Sequence, residues 1–301
     1  MALIIGTRGS KLALWQAHEV QRHLSSLTEE NVEIKVISTR GDERLEIALH
    51  SHTLSKGLFT EELERELLSG EIDFAVHSLK DLPVEMPEGL CLGAVLERAN
   101  PADVVLSNHS LESVQDLRGR HIGTSSPRRV EQLKALFGND FSYAPVRGNV
   151  QTRIAKLRGG EFDAIIMAAA GIERLGLEEE IALYLPLSTM LPAPGQAAIG
   201  VQCAASNTKA LQLAQQLNDP RSAFETWVER QLLLELGGGC SLPLGALCQK
   251  ISDDVVSLSA FYRNEEGHTT AQVKRTLSVH HIQKELSTFA SSLKKGSTEE
   301  I

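Results

Sequence analysis

The chain has 301 residues, 42% of them hydrophobic, and its 30 Lys and Arg stand against 39 Asp and Glu for a net charge of −9. That length exceeds what one core usually organises and gives room for two or three domains, while the acidic balance argues against nucleic acid as the main partner. No stretch approaches the roughly 18 apolar residues of a membrane span and no secretion signal opens the chain, so a cytoplasmic protein without a membrane partner is expected.

Ala2–Gly6 reads as a buried strand, followed by Thr7-Arg8-Gly9-Ser10 and an amphipathic helix from about Lys11 to Leu27 with Ser10 as N-cap. Free backbone N–H groups at that helix start, together with Arg8, suit a carboxylate. Val32–Ile37 alternates as a strand and leads into Thr39-Arg40-Gly41-Asp42. Residues 43–57 show no clear period and are expected to form a lid-like loop. A helix over Leu58–Ser69 closes at Gly70, and the short strand Phe74-Ala75-Val76 runs into His77-Ser78-Leu79-Lys80-Asp81-Leu82-Pro83. Lys80 and Asp81 then stand where open α/β sheets bind ligands, just past a buried strand; a surface ion pair at a turn fits that segment equally well. Leu90–Leu96 is a further strand, and the polar, proline-containing 97–103 reads as a crossover between domains.

The second half repeats this grammar. Strands over 104–106 and 121–123 precede Ser126-Pro127-Arg128-Arg129, where Ser126 as N-cap and Pro127 at the first helical position start a helix to about Leu136. Arginines in a first helical turn oppose the helix dipole, so an anion is expected nearby. Arg147-Gly148-Asn149 precedes a helix carrying Arg153 and ending at Gly159-Gly160; Ala164–Met167 is a buried strand, followed by Ala168-Ala169-Ala170-Gly171, small residues that let a ligand approach, and by Arg174. Arginines in glycine-flanked loops point together to a small polyanionic ligand. Leu191–Gln196 reads as a return crossover, Ala198–Gln202 as a strand and Thr208–Leu217 as a helix. A chain that leaves one lobe, builds a second and returns leaves a cleft lined by Arg8, Asp81, Arg128 and Arg147.

The last third changes pattern, with a helix over Ser222–Leu236, strands near 244–251, 255–262 and 270–277, and a helix from about His280 to Lys294. Between the first helix and the first strand lies Leu236-Gly237-Gly238-Gly239-Cys240-Ser241, which displays a thiol on a backbone able to lie close to a large group. A helix C-cap followed by a half-buried cysteine is the plainer reading of that stretch alone. Cys91, Cys203 and Cys248 each lie in an apolar run and are expected in the core; neither the four cysteines nor His50, His52 and His77 have metal-ligand spacing.

Taken together, Thr7-Arg8-Gly9-Ser10, Thr39-Arg40-Gly41-Asp42, Lys56-Gly57-Leu58-Phe59, His77–Pro83, Gly123-Thr124-Ser125-Ser126, Arg128-Arg129, Arg147-Gly148-Asn149, Pro194-Gly195-Gln196 and Gly238-Gly239-Cys240 resemble the porphobilinogen deaminases over nearly the whole chain. The resemblance implies an α/β protein with two periplasmic-binding-protein-like lobes around a cleft plus a small C-terminal α+β domain: residues 1–98 with 197–217, residues 99–196, and residues 218–301. It implies a transferase, expected to be monomeric, that joins four porphobilinogen molecules on a covalent dipyrromethane and releases hydroxymethylbilane. Cys240 matches the thioether attachment and Asp81 the central catalytic carboxylate, with Lys80 beside it. Cofactor contacts are implied for Ser126, Arg128, Arg129, Arg147, Lys80 and Asp81, and substrate contacts for Arg8, Ser10, Arg147, Arg153, Arg174 and Gln196. Pro127 after the serines, three glycines before Cys240 and His50-Ser51-His52 depart from the family's usual pattern without removing a matched side chain. A non-enzymatic two-lobe binder of a small polyanion is the alternative; thiol-based hydrolysis at Cys240 would need a histidine partner that the sequence does not assign.

Overall fold

The structure, a computed structural model, describes residues 2–39, 60–238, 242–263 and 269–296. Strand β1 (Leu3–Thr7) leads into helix α1 (Lys11–Ser25), β2 (Val32–Val36), α2 (Glu61–Ser69), β3 (Phe74–Ser78) and β4 (Leu90–Val95). Next come β5 (Asp103–Ser107), β6 (His121–Gly123), α3 (Pro127–Phe137), β7 (Ser142–Ala144), α4 (Val150–Arg158), β8 (Ala164–Ala168), α5 (Ala169–Glu173) and β9 (Leu183–Tyr184). The chain continues through β10 (Ile199–Ala204), α6 (Thr208–Leu217), α7 (Pro220–Glu235), β11 (Leu244–Lys250), β12 (Val255–Arg263), β13 (Thr269–Ser278) and α8 (Ile282–Lys294). Two compact units result: Met1–Ala99 with Ala197–Ala223, and Asn100–Gln196 with Phe224–Ile301.

In the first unit the sheet order is β2-β1-β3-β10-β4, with β1 parallel to β2 and β3, and β10 antiparallel to both its neighbours. Parallel strands covered on both faces need nearly continuous apolar sequence, and β1 and β3 supply it. One face packs Leu3, Ile5, Phe74 and Val76 with Ala17, Val20 and Leu24 of α1 and Ala210 and Ala214 of α6; the other holds Ile37, Leu63, Leu67 and Ile72. Gly70 ends α2 in the left-handed region at φ 75°, a conformation that favours glycine.

The second unit repeats that order as β7-β6-β8-β5-β9, where β6 is parallel to β7 and β8, and β5 is antiparallel to β8 and β9. Strand β5 thus takes the place in this sheet that β10 takes in the first. The same unit contains the antiparallel meander β11-β12-β13. Its apolar face, including Ala246, Val256, Leu258 and Ala260, packs with Val228 and Leu232 of α7 and with Leu286, Phe289 and Leu293 of α8. Each such large side chain taken out of water contributes roughly 1.5–3 kcal/mol. Residues 218–223 fall in the first unit, and 224–301 share the second with 100–196. Among the described residues no helix is long and apolar enough to cross a membrane.

Candidate active site

In the first unit the C-terminal ends of parallel β1 and β3 lie on one edge of the sheet, and both carry residues singled out from the sequence. Ser10 follows β1 and caps α1, its Oγ accepting the Ala13 N–H at 3.2 Å. Arg8 is half-buried one residue beyond β1. Past β3, a single 3₁₀ turn over Leu79–Asp81 buries Leu79 and leaves Lys80 half-buried and Asp81 exposed. The Leu79 N–H donates to the Ala198 carbonyl at 3.0 Å, and Gln16 Nε2 donates to Ser78 Oγ at 2.9 Å, so both flanks of the turn are held. Next to it His77 is buried against Gln202. Burial pushes its imidazole down to about 4, the Gln202 hydrogen bond opposing and the Arg8 charge assisting that shift.

The second unit gathers its candidates on the corresponding edge, after β6, β7 and β8. Ser126 caps α3, and the Ser125 hydroxyl donates to the Val146 carbonyl at 2.9 Å, tying the loop after β6 to the loop after β7. Arg147 is half-buried on the second of these loops, and Arg153 of α4 reaches back so that its Nε donates to the Gly148 carbonyl at 2.8 Å. Arg174 is the half-buried C-cap of α5. Ala168 and Gly171 are half-buried, while Ala169 and Ala170 open α5 and are buried, Ala169 within the apolar core. Their small size serves helix-on-sheet packing.

Arg128 and Arg129 are buried, and the anion expected near them is part of the chain. Asp103, fully buried at the start of β5, accepts Arg129 Nε at 3.0 Å and Arg129 Nη2 at 2.8 Å, and Arg128 Nη1 stands 2.8 Å from its Oδ2. Asp103 therefore does not belong to the polar crossover where the sequence placed it. Burial by itself would raise its carboxyl, but the two guanidinium groups outweigh that and hold it well below the usual carboxylate range. Two cations share one anion, which leaves one positive charge in a buried place. Arg128 Nε, moreover, is buried with no hydrogen-bond partner among the described residues. A buried donor left over beside a surplus charge suits a ligand carboxylate, so these residues fit a carboxylate-rich group such as dipyrromethane.

The segment from Leu191 to Gln196 straps this cluster down. Arg128 Nη1 donates to the Leu191 carbonyl at 2.5 Å, while Gln132 donates to the same carbonyl and accepts the Leu191 N–H. Gln196 Nε2 donates to Asp103 Oδ1 at 2.8 Å. The Gly195 N–H and the Ala246 N–H of β11 meet Glu229 and the Pro192 carbonyl respectively, at 2.8 and 2.9 Å. Residues 3–212 match a family profile described as "Porphobilinogen deaminase, dipyromethane cofactor binding domain", and residues 223–286 match its "C-terminal domain". The chain belongs to the porphobilinogen deaminase family.

Its relatives bear this out across most of the chain. A porphobilinogen deaminase of Syntrophomonas wolfei is 51% identical over 249 residues, 82% of this chain and 80% of that protein. One from a Nitratiruptor species is 45% identical over 263 residues, 86% and 83% of the two chains. The porphobilinogen deaminase 1 of Streptomyces coelicolor is 41% identical over 283 residues, 91% and 88% of the two. Among solved structures, the BvgS VFT2 domain of Bordetella pertussis gives a TM-score of 0.44 at 15% identity, covering 72% of this chain and 86% of that one. A TRAP solute-binding protein from Desulfovibrio salexigens gives 0.45 at 11%, covering 74% of each.

In this porphobilinogen deaminase family member, Cys240 lies outside the described residues, as do Arg40, Gly41, Asp42 and the expected lid at 43–57. The elements on either side of Cys240 in sequence, α7 and β11, are described. Asp103, Gln132 and Glu229 escaped the sequence reading. Each is a polar residue beside at least one apolar neighbour with no motif around it, and no local signal separates it from a surface residue. Cys203 and Cys248 are buried as expected and Cys91 is half-buried; none of the three is joined in a disulfide among the described residues. Burial pushes the Cys203 thiol up to about 12, which makes it inert.

Proposed function

We infer that this protein acts as a porphobilinogen deaminase, joining four porphobilinogen molecules head to tail and releasing hydroxymethylbilane by hydrolysis. The observation that carries this reading is the Arg128–Arg129 pair on the single carboxylate of Asp103, with Arg128 Nε to spare, inside the matched segment 3–212. Dipyrromethane, when bound, supplies the free pyrrole α-carbon from which the chain grows. Cys240 holds it as a thioether, and Arg128, Arg129, Arg147 and Ser126 bind its acetate and propionate groups. Guanidinium forks suit that task because each presents paired donors to a carboxylate.

Arg8, Ser10, Arg153, Arg174 and Gln196 orient the carboxylates of incoming porphobilinogen. Ammonia leaves the aminomethyl group of that substrate as a positive charge develops on the pyrrole. The Asp81 carboxylate, on its turn past β3, stabilises this charge and accepts pyrrole N–H donors, with Lys80 beside it. Residues 218–301 form the domain that carries Cys240, and the enzyme works as a cytoplasmic monomer.

Intact-mass spectrometry of the purified protein tests this reading. The mass is expected to exceed that of the chain by two porphobilinogen units less two ammonias, with peptide mapping placing the adduct on Cys240. A fully active protein without that adduct overturns the reading.

A further inference from the structure

Every acceptor position of Asp103 is taken by the chain. Its Oδ2 faces Arg129 Nε at 3.0 Å and Arg128 Nη1 at 2.8 Å, and its Oδ1 faces Arg129 Nη2 and Gln196 Nε2, both at 2.8 Å. A carboxylate offers about four lone-pair sites, so none remains for substrate or cofactor, and the residue is fully buried. What Asp103 does is orient other groups. Arg129 is held on two edges, since its Nη1 also donates to the Ile166 carbonyl at 2.7 Å on neighbouring β8. Arg128 Nη1 sits between Asp103 and the Leu191 carbonyl, which leaves its Nε edge directed elsewhere.

We propose that Asp103 is a positioning residue of the transferase: by binding Arg128, Arg129 and Gln196 at once it aims the two guanidinium groups at the dipyrromethane carboxylates. The proposal rests on the functional reading above. A fork turned by one misplaced bond presents one donor to a carboxylate in place of two, so misplacing the forks weakens uptake of the cofactor. It leaves porphobilinogen contacts that other arginines make.

The test uses Asp103→Asn, which removes the charge and turns a donor towards two cations, and Asp103→Glu, which keeps the charge and moves it by one methylene. Each full-length apo-protein is titrated with preformed hydroxymethylbilane, whose hydroxymethyl carbon the Cys240 thiol captures with loss of water, and intact mass gives the fraction of folded protein that carries the resulting four-pyrrole adduct. The concentration for half-loading is expected to rise by about tenfold or more in Asp103→Asn, equivalent to one lost charge-assisted hydrogen bond, and by a smaller factor in Asp103→Glu. The KM for porphobilinogen of the loaded fraction rises by a smaller factor than the half-loading concentration, since Gln196 alone of the substrate-orienting residues shares the four bonds of Asp103. A residue that only stabilised the fold would lower the melting temperature and leave half-loading of the folded fraction unchanged, and that result overturns the proposal. Failure of both variants to accumulate as folded protein makes Asp103 a folding residue and overturns it too. In wild-type apo-protein, nitrogen NMR is expected to show a slowly exchanging Arg129 Nε–H signal that is lost in Asp103→Asn. That signal reports the held fork even if wild type takes up no pyrrole, an outcome that counts against the functional reading alone.

Discussion

Glu229 Oε2 accepts the Gly195 N–H at 2.8 Å. Its other oxygen accepts the Cys248 N–H at 2.9 Å, so one fully buried carboxylate on α7 joins the 191–196 strap to strand β11. Glu225, one turn earlier, accepts the Lys250 N–H at 2.8 Å. The outer edge of β11, which would otherwise present unpaired N–H groups, is satisfied by the Pro192 carbonyl and by side chains of α7.

Glu229→Gln sets an amide NH₂ against one of two backbone N–H donors. A buried donor left unsatisfied costs about 1–3 kcal/mol, so chemical denaturation should show a loss of that size, with little change in the denaturant slope. The Glu225→Gln variant, whose partner Lys250 is the last residue of the same strand, should lose less.

His77 makes stability depend on pH. Its folded value of about 4 lies below the 6.5 of the free side chain, so between these values the unfolded chain binds a proton that the folded chain does not. The resulting stability is complete above about pH 6.5 and falls as pH drops to about 4, by about 3 kcal/mol in all. Asp103, held below the usual carboxylate range, contributes stability that is lost only at still lower pH. Melting curves from pH 7 to 4 should show the His77 decline, and His77→Gln should flatten it.

Gly148 adopts φ +112°, and a Cβ there would lie 2.6 Å from Thr152 Cγ2. Gly148→Ala combines backbone strain of about 1–3 kcal/mol with displacement of the carbonyl that receives Arg153 Nε. A lowered melting temperature together with a raised KM for porphobilinogen is expected. An unchanged KM would separate Arg153 from substrate binding.

Asp81→Asn keeps the shape of the exposed side chain and removes its charge. For a surface residue that change alters stability by at most about 1 kcal/mol and leaves the rate intact. If the carboxylate faces the developing cation, single-turnover ammonia release slows by about 10²-fold or more. The assay must start from dipyrromethane-loaded variant, because failure to load would mimic lost catalysis. Near-wild-type release would remove Asp81 from the mechanism.

Local features of the sequence are enough to locate most elements. Ser10 and the Ser126-Pro127 pair mark the starts of α1 and α3 because an N-cap acts within one helical turn, and Gly70 marks the end of α2 because left-handed backbone excludes most side chains. The apolar runs of β1, β3 and β8 read as buried strands for the same local reason, and the ordered motifs around Arg8, Asp81, Arg128, Arg147 and Cys240 pointed to the family. The partners of the charged groups are a different matter. An arginine at a helix start calls for an anion, yet nothing near Arg128 in sequence says that the anion is Asp103, 26 residues before Arg129, or that Gln196 joins it from 93 residues away. Those contacts exist because β5 enters the second sheet antiparallel to β8 and because the chain returns past α3 before it reaches β10. Burial of a charge depends on what the whole sheet stacks around it, so the sequence could supply the charges and only the tertiary structure could pair them.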